Sequence, residues 1–265
     1  MHVAQLGSGT PDIAVVAAVH GDEPCGVRAV ERLLEEQPDV KRPVKLVIAN
    51  ETALERGVRY VDEDLNRAFP GDPAADTHEG RLAAHLEREL GDCLTFSMHS
   101  TQSHAEPFAI VRELSETARK LCPQLPVTSM VETGPYAEGR LFSEIETIEV
   151  ECGLQGTDAA AENADRLTRA FLTAVDALPG DAVTRELPVF QLVDKIEKDV
   201  ADTYEVFVEN FEHVEAGDPF AAADGETQVA PESFYPVLMS PYGYQDVFGY
   251  TARKLETLSA SSVAD

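Results

Sequence analysis

His20 and Glu23 follow a strongly apolar segment, residues 13–19, and form an H-x-x-E pair. The segment is rich in β-branched residues, which favours a strand buried on both faces, and a helical pattern begins at Pro24. Imidazole and carboxylate groups are common zinc ligands, so this pair at a strand end indicates the metal site of a hydrolase. A single H-x-x-E pair is also common on protein surfaces, so the interpretation requires further ligands.

A catalytic zinc ion takes three protein ligands and keeps one position open, so a third ligand is expected at another strand end. His99 ends the short strand-like run 94–98 and precedes a polar loop, residues 100–103. His104 is the alternative third ligand. The alternative interpretation of His99 is a hydrogen-bonded histidine of the core that binds no metal.

Two carboxylates lie in a further strand-like run, residues 147–152, at the alternate positions Glu149 and Glu151. Alternate residues of a strand share one face. A carboxylate beside a dication can take a proton from water and pass it to a leaving group. Glu151 lies closer to the strand end and is the preferred base. Without the histidines, both glutamates would be interpreted as solvated residues of an edge strand.

Arg59 and Arg67 flank a D-L-N sequence in a segment bounded by Gly57 and by Pro70 and Gly71, which is typical of an exposed loop. Arginine suits carboxylate recognition because its planar guanidinium presents two parallel donors. The chain contains 21 basic and 48 acidic residues, so a pocket for an anion must concentrate its few cations locally. The alternative, that these arginines pair with the acidic residues around them, stays open at this point.

Four separated motifs occur in one order along the chain: H-G-D-E at His20, D-L-N-R at Asp64, H-S-T at His99 and V-E-C-G at Val150. In this order they resemble the succinylglutamate desuccinylase and aspartoacylase family, which consists of zinc-dependent amidohydrolases built on a carboxypeptidase-like domain. The resemblance implies an α/β fold with a mostly parallel or mixed central sheet flanked by helices. It also implies one Zn²⁺ ion per chain.

The resemblance further implies roles for individual residues. The zinc ligands would be His20, Glu23 and His99. Glu151 would be the general base, and Arg59 would polarise the scissile carbonyl. The implied substrate contacts are Asn66, Arg67, Arg140, Tyr136 and Tyr244.

Ser97 departs from the family pattern. Members commonly carry an acidic residue two positions before the last histidine ligand, where it orients the imidazole ring. Loss of such a partner typically lowers metal affinity by about 10- to 100-fold. We therefore expect either weaker zinc binding or another carboxylate in that role.

The implied reaction is aspartoacylase-like hydrolysis of the amide bond of an N-acyl amino acid, which releases a small carboxylate and an amino acid. A succinylglutamate desuccinylase and a deacetylase of acetylated compatible solutes are alternatives, because their substrates also present an amide beside a carboxylate. A metallocarboxypeptidase and a non-catalytic metalloprotein that binds a carboxylate are further alternatives. Residues 136–140 resemble the aspartoacylase segment whose arginine contacts the acidic side chain of the substrate. This resemblance favours an acidic amino acid with a small acyl group.

Strand-like and helical runs alternate up to residue 180, which favours an α/β domain over residues 1–180. The resemblance implies that this is the zinc hydrolase domain. The predicted strands there are 13–19, 44–49, 94–98, 108–111 and 147–152, and the predicted helices are 24–36, 77–90, 113–121 and 157–178. Shorter strands joined by turns, at 187–193, 205–211 and 234–239, predict a small β domain over residues 181–258. Tyr244 would reach from this domain over the cleft. Residues 259–265 are predicted to be a tail.

The formal net charge of −27 opposes binding to nucleic acid or to an anionic membrane. The sequence has neither an 18-residue apolar run nor the pattern of a signal peptide, and its four cysteines lack disulfide or C-x-x-C spacing. These features predict a cytoplasmic enzyme that acts on a small molecule. Assembly into a homo-oligomer is left open by the sequence.

The acidic residues are spread along the whole chain, so their mutual repulsion should destabilise the fold at low ionic strength. At about 1 M salt the Debye length falls to about 3 Å, which screens most of this repulsion. We therefore expect a halophilic protein whose melting temperature rises with KCl concentration. A melting temperature that stays constant from low salt to about 1 M KCl would contradict this expectation.

Overall fold

The computed structural model describes residues 1–259, which form a ten-stranded mixed sheet, a three-stranded antiparallel sheet and flanking helices. The strands are β1 (His2–Leu6), β2 (Ile13–Ala17), β3 (Val44–Ile48), β4 (Leu94–Thr101), β5 (Phe108–Val111), β6 (Met130–Glu132), β7 (Thr147–Leu154), β8 (Leu187–Glu197), β9 (Tyr204–Val206), β10 (Pro219–Ala223), β11 (Glu226–Val229), β12 (Tyr235–Val237) and β13 (Val247–Leu258). The α-helices are α1 (Cys25–Glu36), α2 (Glu51–Arg56), α3 (His78–Leu90), α4 (Glu116–Leu121), α5 (Leu141–Glu144) and α6 (Asp158–Ala174). Short 3₁₀ turns occur at Leu65–Arg67, Cys122–Gln124 and Gly134–Ala137. None of the helices within residues 1–259 combines the length and the apolarity needed to cross a bilayer.

The large sheet has the strand order β1-β3-β2-β4-β7-β5-β6-β8-β13-β12. β2 pairs in parallel with β3 on one side and with β4 on the other, and β4 pairs in parallel with β7. The chain thus leaves β2 in one direction for β3 and later returns on the opposite side to form β4. In open α/β sheets, such a reversal leaves a crevice at the carboxyl ends of the strands.

β4 and β7 are buried on both faces, and their residues alternate between two environments. Phe96, Met98 and Val150 belong to the main apolar core, which also includes α1 and α6. In this core Phe96 stacks on Phe171 of α6, with 4.7 Å between ring centroids. The other face of the two strands carries their polar residues: Ser97, His99, Glu149 and Glu151.

The predicted fold class, a mixed α/β sheet flanked by helices with a small β unit near the C-terminus, is confirmed. Several strands lack a strong sequence signal and were not predicted: β1, β6, β10, β11 and β13. β13 is long, but its second half carries three charged residues, Arg253, Lys254 and Glu256, and it follows a polar loop. The predicted strand 205–211 is shorter in the structure and ends at Val206, and Phe211 further along has a φ of 68°, which lies outside the strand region.

The large sheet continues beyond residue 180. β8 pairs in parallel with β6, and β13 and β12 follow by antiparallel pairing. Within residues 1–259, β9, β10 and β11 form the separate small sheet. The main sheet crosses the predicted boundary at residue 180. The division into domains 1–180 and 181–258 stays a prediction. Of the predicted tail 259–265, residues 260–265 lie outside the described part of the chain.

Candidate metal centre and substrate cavity

Three buried side chains converge at the crevice between β2 and β4. His20 and Glu23 lie in the turn between β2 and α1, and His99 lies near the end of β4. Their ligand atoms all lie within 4.8 Å of one another. Glu23 connects the two histidines, with Oε1 at 2.9 Å from His20 Nδ1 and Oε2 at 3.0 Å from His99 Nδ1. The convergence expected from the sequence is therefore present.

The donor set of two imidazole nitrogens and one carboxylate is that of catalytic zinc sites. Burial lowers the pKa of His99, but the carboxylates of Glu149 and Glu23 outweigh this effect and raise the pKa to about 9. Burial also opposes protonation of His20, whose pKa is nevertheless raised by Glu23 and Asp64. The surrounding carboxylates therefore favour positive charge at this position. His20, Glu23 and His99 fit a zinc ion by both ligand chemistry and charge.

Both imidazoles turn Nδ1 towards Glu23 and Nε2 towards other partners. His20 Nε2 lies 3.0 Å from Asp64 Oδ1. His99 Nε2 lies 3.3 Å from Ser97 Oγ and 3.7 Å from Glu149 Oε1. Glu149 is thus a candidate for the carboxylate that orients the His99 ring in place of an acidic residue at position 97.

Arg59 makes ion pairs with two acidic residues and lines the same cavity. Its Nη1 donates to Glu23 Oε1 at 2.9 Å, and its Nε and Nη2 donate to Asp64 Oδ2 at 3.2 and 3.1 Å. Burial opposes ionisation of Asp64, but the hydrogen bond with His20 and the charge of Arg59 hold its pKa well below the ordinary value. Arg59 therefore pairs with local acids and also lines the cavity, although the sequence presents these two positions as alternatives.

Glu151 is the register partner of His99 on the neighbouring strand and lines the cavity. Its Oε2 is buried and has no hydrogen-bond partner among the described residues. Burial raises the pKa of Glu151 to about 7, and the Glu23 carboxylate acts in the same direction. A carboxyl group with such a pKa can both accept and return a proton near neutral pH.

A cavity of about 100 Å³ adjoins the three candidate ligands. Four of the predicted substrate contacts line it: Asn66, Arg67, Arg140 and Tyr244. Arg140 is only 7% exposed, and its Nε has no hydrogen-bond partner within residues 1–259. Burial, together with the positive charge of Arg140, lowers the pKa of Arg67. Two guanidinium groups that repel each other beside a small cavity favour the binding of an anion.

Close backbone packing delivers Arg140 to the cavity. Gly139 has a φ of 76°, and a Cβ built there would lie 2.6 Å from the carbonyl oxygen of Arg67. The backbone N–H of Leu141 donates to Asn66 Oδ1 at 2.9 Å. These contacts fix residues 139–141 against the D-L-N-R loop, and glycine is required because a side chain would prevent the approach.

Two sequence candidates lie elsewhere. The Tyr136 hydroxyl donates to Val193 O at 3.0 Å, and its ring packs on Tyr250, outside the cavity lining. His104, the alternative third ligand, packs its ring against Phe108 and Phe211. The structure does not bring either residue to the three converging ligands.

Sequence reasoning missed several residues of the site. Asp64 was treated as a neighbour of the arginines, although it contacts His20. Glu149 was set aside in favour of Glu151, although the alternation on β7 places both on the same face and both line the cavity. Leu238, Ser240 and Gly243 also line it, and no local signal identifies them because their loop reaches the site through long-range contacts.

This loop, residues 238–244, is fastened by two buried or half-buried polar side chains. Asn210 Nδ2 donates to Ser103 O at 2.7 Å and to Met239 O at 3.1 Å, and Asn210 Oδ1 accepts from Met239 N at 2.7 Å. Lys198 Nζ donates to the carbonyl oxygens of Pro241 and Tyr244 at 2.7 and 2.6 Å. The loop that presents Tyr244 is therefore tied both to the β4 edge and to the end of β8.

Comparison with known proteins finds similarity to a catalytic-domain model and to related amidohydrolases. Residues 9–130 match the model of the succinylglutamate desuccinylase/aspartoacylase catalytic domain. The Burkholderia thailandensis succinylglutamate desuccinylase is 29% identical over 255 residues, which cover 82% of this chain and 72% of that protein. An N-acyl-aromatic-L-amino acid amidohydrolase (carboxylate-forming) from Xenopus tropicalis is 30% identical over 106 residues, or 35% of this chain. That match spans about a third, 34%, of the Xenopus protein.

Murine aminoacylase 3 has the same fold in its crystal structure. The superposition gives a TM-score of 0.74 at 21% sequence identity and covers 95% of this chain and 99% of the murine chain. The likeness extends over the large sheet and over the residues beyond 180.

Replacing Asn210 with Ala should loosen the loop at residues 238–244. The substitution removes three hydrogen bonds and leaves buried backbone groups unpaired, which should lower the free energy of unfolding by about 1–3 kcal/mol. Urea unfolding measures this loss, and amide hydrogen exchange of residues 239–244 should become faster. Asn163→Ala, which removes the hydrogen bonds of Asn163 with Cys152 O and Arg166 Nη2 away from this loop, is the control and should leave that exchange unchanged. Wild-type exchange in the Asn210→Ala variant would show that Asn210 does not hold the loop.

Proposed function

Because the chain belongs to the succinylglutamate desuccinylase/aspartoacylase family, we propose that it is a zinc-dependent hydrolase that cleaves the amide bond of an N-acyl amino acid. One observation carries the proposal. His20, Glu23 and His99 converge within 4.8 Å at a cavity that also contains Glu151 and three arginines. A metal-ligand set, a base and cationic anchors thus meet in one place.

Each residue has a chemical role in this proposal. Zinc held by His20, Glu23 and His99 would supply a Lewis acid that acidifies water and polarises a carbonyl group. Glu151 takes the proton from the attacking water and returns it to the departing amine. Arg59 stabilises the negative charge that develops on the carbonyl oxygen. Its ion pairs with Glu23 and Asp64 hold its guanidinium in place for this role.

The proposed substrate is an acidic amino acid that carries a small acyl group. Asn66 and Arg67 would contact the α-carboxylate, and Arg140 would contact the acidic side chain. The mutual repulsion of Arg67 and Arg140 supports this assignment, because two substrate carboxylates would relieve it. Tyr244 would close the pocket from its loop.

Succinylglutamate desuccinylation is a second candidate. It is favoured by the relative from Burkholderia thailandensis, whose name states this activity and which aligns over 82% of this chain. The succinyl group would add a third carboxylate to the substrate. We also propose a content of one zinc ion per chain and a cytoplasmic location.

Release of free amine from a panel of N-acyl amino acids, with zinc and at high salt, tests the function. Acetylaspartate should be the best substrate, and succinylglutamate as the best substrate would support the second candidate. Cleavage of peptides alone would instead indicate a metallocarboxypeptidase. Stoichiometric binding of zinc and ligand without amine release would indicate a non-catalytic binding protein.

Replacing Glu151 with Gln should remove turnover and retain zinc. The amide cannot accept the proton, so kcat should fall by about 10²- to 10⁴-fold, the usual contribution of a general base. Zinc content is measured by elemental analysis after gel filtration. Glu132→Gln is the matched control, because Glu132 is a half-buried carboxylate on β6 that accepts hydrogen bonds from Leu114 and Gln191 outside the cavity. Substantial residual kcat in Glu151→Gln would reject Glu151 as the base.

A further inference from the structure

Glu149 is a buried carboxylate, only 2% exposed, that contacts the metal side and the substrate side of the cavity at once. Its Oε1 lies 3.7 Å from His99 Nε2 and accepts a hydrogen bond from Asn66 Nδ2 at 3.2 Å. Its Oε2 lies 3.9 Å from Arg140 Nη1. A proton-transfer role belongs to Glu151, so this second glutamate requires a separate explanation.

The chemistry of the two groups near His99 Nε2 differs. The Ser97 hydroxyl, at 3.3 Å, can donate or accept a hydrogen bond, so it is compatible with either tautomer of the imidazole. Glu149 Oε1 already accepts a hydrogen bond from Asn66 Nδ2, so this oxygen faces His99 as an acceptor. At 3.7 Å it lies beyond hydrogen-bond distance of Nε2, and it favours a hydrogen on Nε2 electrostatically, which leaves the lone pair of Nδ1 directed towards Glu23 and the proposed metal position.

The second oxygen of Glu149 acts on Arg140. Among residues 1–259, Arg140 forms one ion pair, with Glu149, and its Nε has no hydrogen-bond partner. A guanidinium held at one end by a carboxylate keeps its remaining donors available for a ligand in the cavity. Asn66 completes the arrangement, because its amide joins Glu149 to the backbone of Leu141, the residue that follows Arg140.

We propose that Glu149 is a positioning residue that sets the tautomer of His99 and the direction of Arg140 through its two oxygens. The proposal rests on the proposed function, since it assumes zinc at His99 and an anionic substrate at Arg140. It goes further by making one carboxylate responsible for both metal affinity and substrate affinity. It also assigns to β7 the orienting acid that β4 lacks at Ser97.

The register of the sheet provides a direct test. Ser97 and Glu149 are paired residues of adjacent parallel strands, so a carboxylate can be moved from one strand to the other beside the same imidazole. Glu149→Gln removes the charge, and Ser97→Asp in that background restores a carboxylate next to His99. Because Arg140 contacts Glu149 and not Ser97 among the described residues, the restored charge should act on His99 alone.

Zinc affinity is measured by competition with a chromophoric chelator, and KM and kcat are measured with acetylaspartate. Glu149→Gln should weaken zinc binding by about 10- to 100-fold, the usual effect of losing an orienting partner, and should also raise KM. Ser97→Asp combined with Glu149→Gln should regain most of the zinc affinity while KM stays high. A purely structural glutamate would not give this separation. Unchanged zinc affinity in Glu149→Gln, or an absence of rescue, would overturn the proposal.

Two controls separate this proposal from the proposed function. If wild-type protein binds zinc no better than His99→Ala, the metal centre itself fails. If wild-type protein binds zinc and Glu149→Gln binds it equally well, only the role of Glu149 fails. Glu132→Gln should match wild type in both zinc affinity and KM.

A spectroscopic measurement on the wild-type protein does not depend on any variant being folded. In the zinc-loaded protein, coordination through Nδ1 itself requires a hydrogen on Nε2 of His99, so long-range ¹H–¹⁵N spectra of the imidazoles test the tautomer, and the change of this resonance in Glu149→Gln tests the role of Glu149. A hydrogen-free Nε2 would overturn the proposal. Where Glu149→Gln folds, which apoprotein thermal unfolding checks, the resonance should shift or broaden through exchange.

Discussion

The parallel pairing of β4 with β7 is the constraint on which the site depends. In this register Ser97 lies beside Glu149 and His99 lies beside Glu151, so four polar side chains share one face of two adjacent strands. The opposite face is filled by the apolar core under α1 and α6. A slip of one residue would exchange the two faces and bury the polar groups in that core. The apolar packing of Phe96, Met98 and Val150 therefore fixes the position of the ionisable groups.

This arrangement has an electrostatic cost that the surrounding residues must offset. Glu23, Glu149 and Glu151 are carboxylates within one poorly solvated region, and buried charges are tolerated only when they are paired or hydrogen-bonded. The imidazoles and Arg59 compensate Glu23, whereas Asn66 and Arg140 compensate Glu149. Glu151 has the fewest partners, and its pKa is correspondingly raised to about 7. Unequal compensation of neighbouring carboxylates gives one of them the properties of a base.

Much of the metal centre could be predicted from the sequence because its residues stand at the ends of apolar runs. His20 and His99 each terminate such a run, and parallel strands bring their carboxyl ends to one edge of the sheet. Glu149 and Asp64 were underestimated for a physical reason. The role of each residue depends on the side chain that it contacts, and long-range strand pairing and loop packing determine that contact. Asp64 and its partner His20, for example, are 44 residues apart in the sequence.

The parts near the C-terminus were less predictable. β13 pairs with β8 over its whole length, but Arg253, Lys254 and Glu256 leave its second half without a continuous apolar signal. Asn210 joins Ser103 to Met239, and a hydrogen bond across 107 residues leaves no local pattern. Tyr136 shows the opposite problem, since a local segment that resembles the family places Arg140 at the cavity while the tyrosine points to Val193 instead. Local sequence therefore specifies the elements that contain a continuous apolar run, and it specifies side-chain direction only where a strand or a packed glycine fixes it.

The overall charge of −27 and an anionic substrate are compatible only if recognition is local. At low ionic strength the protein's field would repel an acidic N-acyl amino acid, whereas at about 1 M salt the Debye length of about 3 Å confines that field to direct contacts. In the proposed function Arg67 and Arg140 would act at direct contact, and Arg140 would do so from a buried position where solvent screening is weak. High salt would thus remove the unfavourable long-range interaction and keep much of the favourable short-range one. A strongly acidic surface and a small arginine-lined cavity are therefore both compatible with the halophilic behaviour that the sequence predicts.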